Sequence, residues 1–259
     1  IGTAKPSPAE QAEVSHHCID LVDATEEFTV ADFKPAVGDA LARIGRAGRR
    51  ALLVGGTGLY HRVVIDDFDL PGQYPEVRGE LEREPDTEML HRRLVDLDPI
   101  AADKMEPGNR RRVVRALEVT LGSGRPFSSF GPGVDAYPPT DVVQIALRWP
   151  RPAIAERIER RVHDMIAAGL IDEVARLHER GLSRTAAQAL GYKEIVAVLD
   201  GAIRQDEATD MIITRTRQFA VRQERWFRRD PRVRWYDVEH DPVAEVAPAV
   251  TATLDASTA

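Results

Sequence analysis

The 259-residue chain contains one cysteine, Cys18, so it cannot close an intramolecular disulfide, and a disulfide-stapled secreted scaffold is excluded. It has no apolar run near the ~18 residues of a membrane span and no charged-then-apolar leader. Metal-ligand spacing is missing as well. His16 and His17 are adjacent, cannot both face one site from a regular element, and have no cysteine or acidic companions at finger spacing. No Ser-His-Asp or Cys-His arrangement is legible, no Gly-x-x-x-x-Gly-Lys-Ser/Thr phosphate loop occurs, and there is no internal repeat. An excess of positive charge is also absent. The net charge of -7 argues against a general nucleic-acid coat, so any nucleic-acid contact must come from local clusters.

What remains is an ordinary globular mix, 43% hydrophobic and 30% charged, long enough for a core domain plus a smaller one. The chain opens Ile1-Gly2-Thr3-Ala4-Lys5-Pro6 with neither an initiator methionine nor a preceding strand, and reads as entered mid-fold. Val30, Phe33, Val37, Ala40, Leu41 and Ile44 fall at helical spacing behind a Thr29 N-cap, and Gly45 and Gly48 stop the helix. Ala51-Leu52-Leu53-Val54 then reads as a buried parallel strand emptying into Gly55-Gly56-Thr57-Gly58.

From about Pro71 to Tyr137 the pattern is helical, with Leu90, Leu94 and Leu97, then Val113, Val114 and Leu117. Asp98-Pro99 supplies an N-cap and a first-turn proline, Gly122-Ser123-Gly124 ends the arginine-bearing helix, and Gly131-Pro132-Gly133 marks a loop. Val142 to Leu147 returns to a buried strand. Helices follow from Pro152 to Gly169, Ile171 to Leu177, after Ala189-Leu190-Gly191-Tyr192, and from Asp206 to Arg229. Val233 to Tyr236 is a last strand, and the Ala-, Thr- and Pro-rich stretch 243–259 reads as a flexible tail.

Three features can carry chemistry, each beside a plainer alternative. Gly55 to Gly58 is either a tight strand-to-helix turn or a place where backbone amides and the Thr57 hydroxyl meet a ligand. Arg160 and Arg161 either snorkel at a boundary or clamp a diphosphate. Arginine runs are more often solvated helix faces than binding sites. Even so, Arg215, Gln218, Arg222, Arg225 and Arg229 recur every three or four residues as one stripe that carries no acidic residue, with Trp226 beside it. Such a stripe suits an RNA backbone with a splayed base.

Seven short motifs in fixed order resemble the tRNA dimethylallyltransferases (isopentenyltransferases). They are Ile1-Gly2-Thr3-Ala4-Lys5-Pro6, His16-His17-Cys18-Ile19-Asp20, Thr29 to Phe33, Val54 to Tyr60, Arg115 to Val119, Gly191 to Glu194 and Thr216-Arg217-Gln218. The resemblance runs to about Pro242.

It implies an α/β fold, a P-loop-kinase-like parallel sheet core (1–72 and 137–242) with a helical insertion (73–136). It also implies transfer of a dimethylallyl group from its diphosphate to the exocyclic amine of the adenosine 3′-adjacent to the anticodon. Thr57 would line the channel where amine and diphosphate meet, and Arg161 would bind the diphosphate. Arg78, then Arg111, Arg112, Val113, Val114 and Arg115, would touch tRNA from the insertion. Ala189, Leu190, Gly191, Tyr192, Lys193 and Glu194, with Arg222, Gln223, Arg225 and Arg229, would contact the anticodon stem-loop.

The resemblance further implies that the phosphate loop, the Asp general base and the Mg²⁺ ligands lie upstream of Ile1, so that residues 1–259 alone hold no metal and transfer no prenyl group. It implies a monomeric, cytoplasmic enzyme without membrane contact. Two other readings stay open: an adenylate isopentenyltransferase acting on a free nucleotide, and a non-catalytic RNA-binding remnant.

Overall fold

The computed structural model describes residues 1–131 and 133–256. In chain order the elements are α1 (Pro8–Glu13), α2 (Val30–Arg46), α3 (Gly58–Ile65), α4 (Pro75–Glu82), α5 (Thr87–Leu97), α6 (Pro99–Asp103) and α7 (Arg110–Ser123). They continue with β1 (Gln144–Arg148), α8 (Arg151–Ala167), α9 (Leu170–Arg180), α10 (Tyr192–Leu199), α11 (Gln205–Arg228), β2 (Val233–Asp237) and α12 (Pro242–Ala256). The chain divides into two compact units, one of residues 1–64 with 139–259 and one of residues 65–138.

Helix starts follow local chemistry. The Thr29 hydroxyl accepts from Ala31 N–H at 3.2 Å while the Asp32 carboxylate accepts from Thr29 N–H at 2.8 Å, a reciprocal cap that satisfies otherwise orphaned amides of α2. Asp98 caps α6 through Ala101 N–H at 3.0 Å. Asn109 caps α7, and Gly124 ends it in the left-handed region at φ 69°.

In the first unit, β1 and β2 pair in parallel from Gln144 opposite Val233 to Arg148 opposite Asp237. The Arg148 guanidinium grips the Asp237 carboxylate in a fork, 2.5 and 2.8 Å, at the end of the ladder. The crossover between these strands holds α8 to α11. Ile158, Val162, Leu170, Val174, Tyr192, Ile195, Ile212 and Ile213 form its core, at helical spacing on each element. In the second unit, Leu81, Leu90, Leu94, Ala101, Ala102, Met105, Val113, Val114 and Leu117 form a separate core.

Three expectations need correction. The strand expected to be buried over residues 142–147 forms as β1 but is half-exposed, Val142 50% and Leu147 46%, because a two-stranded sheet leaves much of each strand uncovered. Ala51 to Val54 is not a buried strand: it joins no ladder among the described residues, with Leu52 75% and Val54 82% exposed. Apolar residues do not make a strand without a partner to take its backbone hydrogen bonds.

The expected tail is, over Pro242–Ala256, a helix. The Glu245 carboxylate accepts the N–H groups of Glu239, His240 and Asp241 at 2.6, 2.7 and 2.7 Å, and Val246 is buried. Tyr236 Oη and Thr253 Oγ1 lie 2.7 Å apart. Capping, docking and the helix propensity of alanine together outweigh the fraying that composition suggested. Residues 257–259 of that stretch, and Pro132 of the expected Gly131-Pro132-Gly133 loop, lie outside the described residues.

Candidate active site and nucleic-acid interface

The glycine turn is held by the last helix of the crossover. Gly55 to Gly58 leads into α3, whose first turn closes on the Thr57 carbonyl, which accepts from Tyr60 N–H at 2.9 Å. Thr57 itself is exposed. From α11, the Gln223 carboxamide donates to the Gly56 carbonyl at 3.0 Å. The Trp226 indole lies against Gly58, its Cε2 occupying space 2.6 Å from where a Cβ would stand. One turn into α3, the His61 ring meets the Phe227 ring edge-on at 5.5 Å, and Tyr60 packs on Phe33 at 4.8 Å. Burial holds the His61 imidazole below the ordinary histidine range, only partly offset by a hydrogen bond with the backbone of Gly55.

The arginine stripe of α11 is less uniform than its spacing suggests. Arg215 forms an ion pair with Glu194, whose side chain is 2% exposed and which also accepts the Gly191 N–H at 3.2 Å. The acidic partner missing from the stripe comes from α10, which sequence spacing within one helix cannot reveal. Gln218, Arg222, Arg225 and Arg229 remain exposed or half-buried, and Arg222 stands over the Phe219 ring at 5.8 Å.

The segment expected to contact an anticodon is therefore mixed. Tyr192 and Glu194 face inward, Tyr192 donating from its hydroxyl to Glu173 at 2.9 Å, and neither side chain is placed to touch RNA. Gly191 adopts φ 94°, a torsion that favours glycine, and Ala189 is half-buried. Leu190 and Lys193 are exposed.

On α8, Ile158 and Val162 face the core while Arg160 and Arg161 are exposed. No hydrogen bond or ion pair among the described residues joins Arg161 to the Thr57 turn.

In the second unit the buried carboxylate of Glu118 gathers three donors. Arg115 reaches it at 2.8 Å, Arg78 at 3.3 Å and the Tyr74 N–H at 2.9 Å. Arg115 also donates to the Pro71 carbonyl at 2.8 Å. Arg78 and Arg115 are thus two half-exposed cations that share one hidden anion, Arg78 also pairing with Glu82 at 2.8 Å; Glu118 is a partner that the motif Arg115 to Val119 contained but that sequence reasoning left unassigned. Arg110 is structural: it donates to the carbonyls of Glu82 at 3.1 Å and Pro85 at 3.4 Å, and to that of Glu84. Arg111 and Arg112 are exposed, whereas Val113 and Val114 are 0% and 2% exposed. The two valines pack the core, because a helix that presents Arg111 and Arg112 outward turns the next two positions inward, so their side chains are not surface contacts for RNA.

Among the described residues no group of three or more His, Cys, Asp or Glu side chains is arranged to hold a metal ion, and no helix is long and apolar enough to cross a membrane.

Comparison with known proteins agrees with this architecture. The IPP transferase family model matches residues 1–230. The tRNA dimethylallyltransferase of Kineococcus radiotolerans is 47% identical over 240 residues, covering 91% of this chain and 75% of that protein. Among solved structures, the full-length tRNA isopentenylpyrophosphate transferase of Bacillus halodurans superposes with a TM-score of 0.68 at 36% identity, covering 99% of this chain and 84% of that one. A eukaryotic dimethylallyltransferase acting on tRNA shares the fold, with a TM-score of 0.79 at 23% identity over 98% of this chain and 68% of that one. On a family match that spans nearly nine-tenths of its length and relatives this similar, the chain belongs to the IPP transferase family.

Proposed function

We propose that this protein is a tRNA dimethylallyltransferase, which moves the dimethylallyl group of dimethylallyl diphosphate onto N6 of the adenosine 3′-adjacent to the anticodon. The observation that carries the reading is family membership over residues 1–230, with curated relatives named for that activity. The geometry agrees with it: an exposed Thr57 sits on a turn braced by α11, whose outer face carries Arg222 and Arg225.

The N6 lone pair forms the new bond to the allylic carbon as the carbon–oxygen bond to diphosphate breaks; diphosphate departs as the leaving group and N6 passes a proton to a general base. The target base must leave its stack to react. Thr57 stands where amine and leaving group meet, its hydroxyl able to donate to a phosphate oxygen or accept from the amine. Arg161 presents an exposed guanidinium suited to diphosphate oxygens, stabilising charge as it develops on the leaving group. Mg²⁺ bound to the diphosphate oxygens would supply further charge stabilisation on the leaving group.

RNA contact is assigned to side chains that the structure leaves open to solvent: Arg111 and Arg112 in the second unit, Leu190 and Lys193 before and within α10, and Arg222, Arg225 and Arg229 on or just after α11. Arg78 and Arg115, half-exposed around Glu118, present their remaining N–H groups to the same backbone. We place a monomeric enzyme in the cytoplasm, where tRNA is processed. Radiolabelled prenyl transfer to tRNA and to AMP by the full-length enzyme tests the reading. Label in tRNA and none in AMP is expected, and the reverse would assign the chain to nucleotide prenylation.

A further inference from the structure

We propose that Gln223 is a positioning residue: its carboxamide holds the Thr57 turn in reacting geometry from α11, with Trp226 closing the other end of the turn. The inference rests on the prenyl-transfer reading of the site. It departs from the expectation that Gln223 contacts tRNA.

Two glycines flank Thr57. Neither Gly56 nor Gly58 has a positive φ, so backbone torsion does not demand glycine at either position. What marks both positions is close approach. The Gln223 carboxamide fills the space of a Cβ at residue 56, its Cδ lying 3.0 Å from that point, and the Trp226 indole fills the space at residue 58. Gln223 and Trp226 are three residues apart, on one face of a helix whose first half is anchored by buried Ala208, Thr209, Ile212 and Ile213. That face grips the turn on both sides of Thr57.

The Gln223 N–H bond to the Gly56 carbonyl, 3.0 Å long and part-buried, fixes the Gly56–Thr57 peptide plane. Thr57 hangs from that plane, so the direction of its side chain follows from a hydrogen bond made by a residue 167 positions from Gly56. Gln223 therefore serves the reaction through Thr57 and not through RNA, one N–H of its carboxamide being engaged by the Gly56 carbonyl.

The test uses the full-length enzyme. Gln223→Met keeps the side-chain length and removes the donor. Turnover at saturating substrates is expected to fall about 3- to 10-fold, the size of one net hydrogen bond, with tRNA Kd unchanged. Gly56→Ala forces the carboxamide away and is expected to give the same fall. Because both abolish the same hydrogen bond, the double variant is expected to be no slower than the slower single variant. Should Gln223→Met fail to fold, Gly56→Ala with its own kcat and Kd carries the test. Weaker tRNA affinity at unchanged kcat in Gln223→Met, or additive effects in the double variant, would overturn the inference. Thr57→Ala serves as the control on the underlying reading. If Thr57→Ala turns over normally, the site reading fails; if it is slow while Gln223→Met is normal, only the positioning role fails.

Discussion

Glu194, buried at the start of α10, holds Arg215 of α11 in an ion pair while accepting the Gly191 N–H at 3.2 Å. This pair fastens the loop that enters α10 to the long helix that carries the basic face. Arg215 is 39% exposed and can return its charge to water if the pair is broken, so the penalty stays below that of a fully buried pair. Glu194→Ala is expected to destabilise the protein by about 1–3 kcal/mol, read as a lower urea midpoint at unchanged m. An unchanged midpoint would show that the pair contributes nothing.

Thr57→Ala should lower kcat with little change in tRNA affinity, because one exposed hydroxyl contributes to reaction geometry more than to docking. Single-turnover assays with bound tRNA separate the two. Collapse of affinity with normal turnover of bound tRNA would remove Thr57 from the reacting centre.

Arg161→Ala should impair use of dimethylallyl diphosphate far more than tRNA binding. Removing one charge-assisted hydrogen bond corresponds to about 1.5–3 kcal/mol, on the order of 10- to 100-fold in kcat/KM for the donor. Unchanged donor kinetics would return Arg161 to the solvated face that its exposure also allows.

Arg111 and Arg112 point outward from the first turn of α7, where the helix dipole disfavours cations. Replacing both by alanine should weaken tRNA binding and reduce the slope of log K against log salt by about 0.7–0.9 for each phosphate that is no longer neutralised. Turnover of bound tRNA should be unaffected. Filter binding at several salt concentrations measures the slope, and an unchanged slope would remove both from the interface.

His61 gives the fold a pH dependence of known sign. Burial lowers its pKa in the folded state, so the unfolded chain binds more protons at His61 between that value and about 6.5. The stability it contributes is complete above pH ~6.5 and is lost as pH falls through the folded pKa. Substituting His61 by phenylalanine should flatten the decline of Tm below pH ~6.5, and an identical decline in both proteins would assign it to other groups.

The sequence by itself determined most of the helices from α2 to α11, the places of the strands that pair as β1 and β2, and the family. Caps such as Thr29 with Asp32, Asp98 with Ala101, and the left-handed Gly124 act within three or four residues, so their chemistry is legible in order along the chain. Apolar spacing likewise named the core positions Leu90, Leu94, Val113, Ile158 and Val162, because a helix must bury one face.

Only the tertiary structure decided what depends on partners far along the chain. Ala51 to Val54 has the composition of a buried strand yet stays exposed, since ladder bonds must come from another segment. The arginine stripe reads as uniform until Glu194 arrives from α10 to pair Arg215, and Arg78 and Arg115 become one unit only around Glu118. Gln223 was expected at the tRNA by resemblance but meets Gly56 through folding alone, because which glycine a side chain crosses is set by how a helix packs on a distant turn.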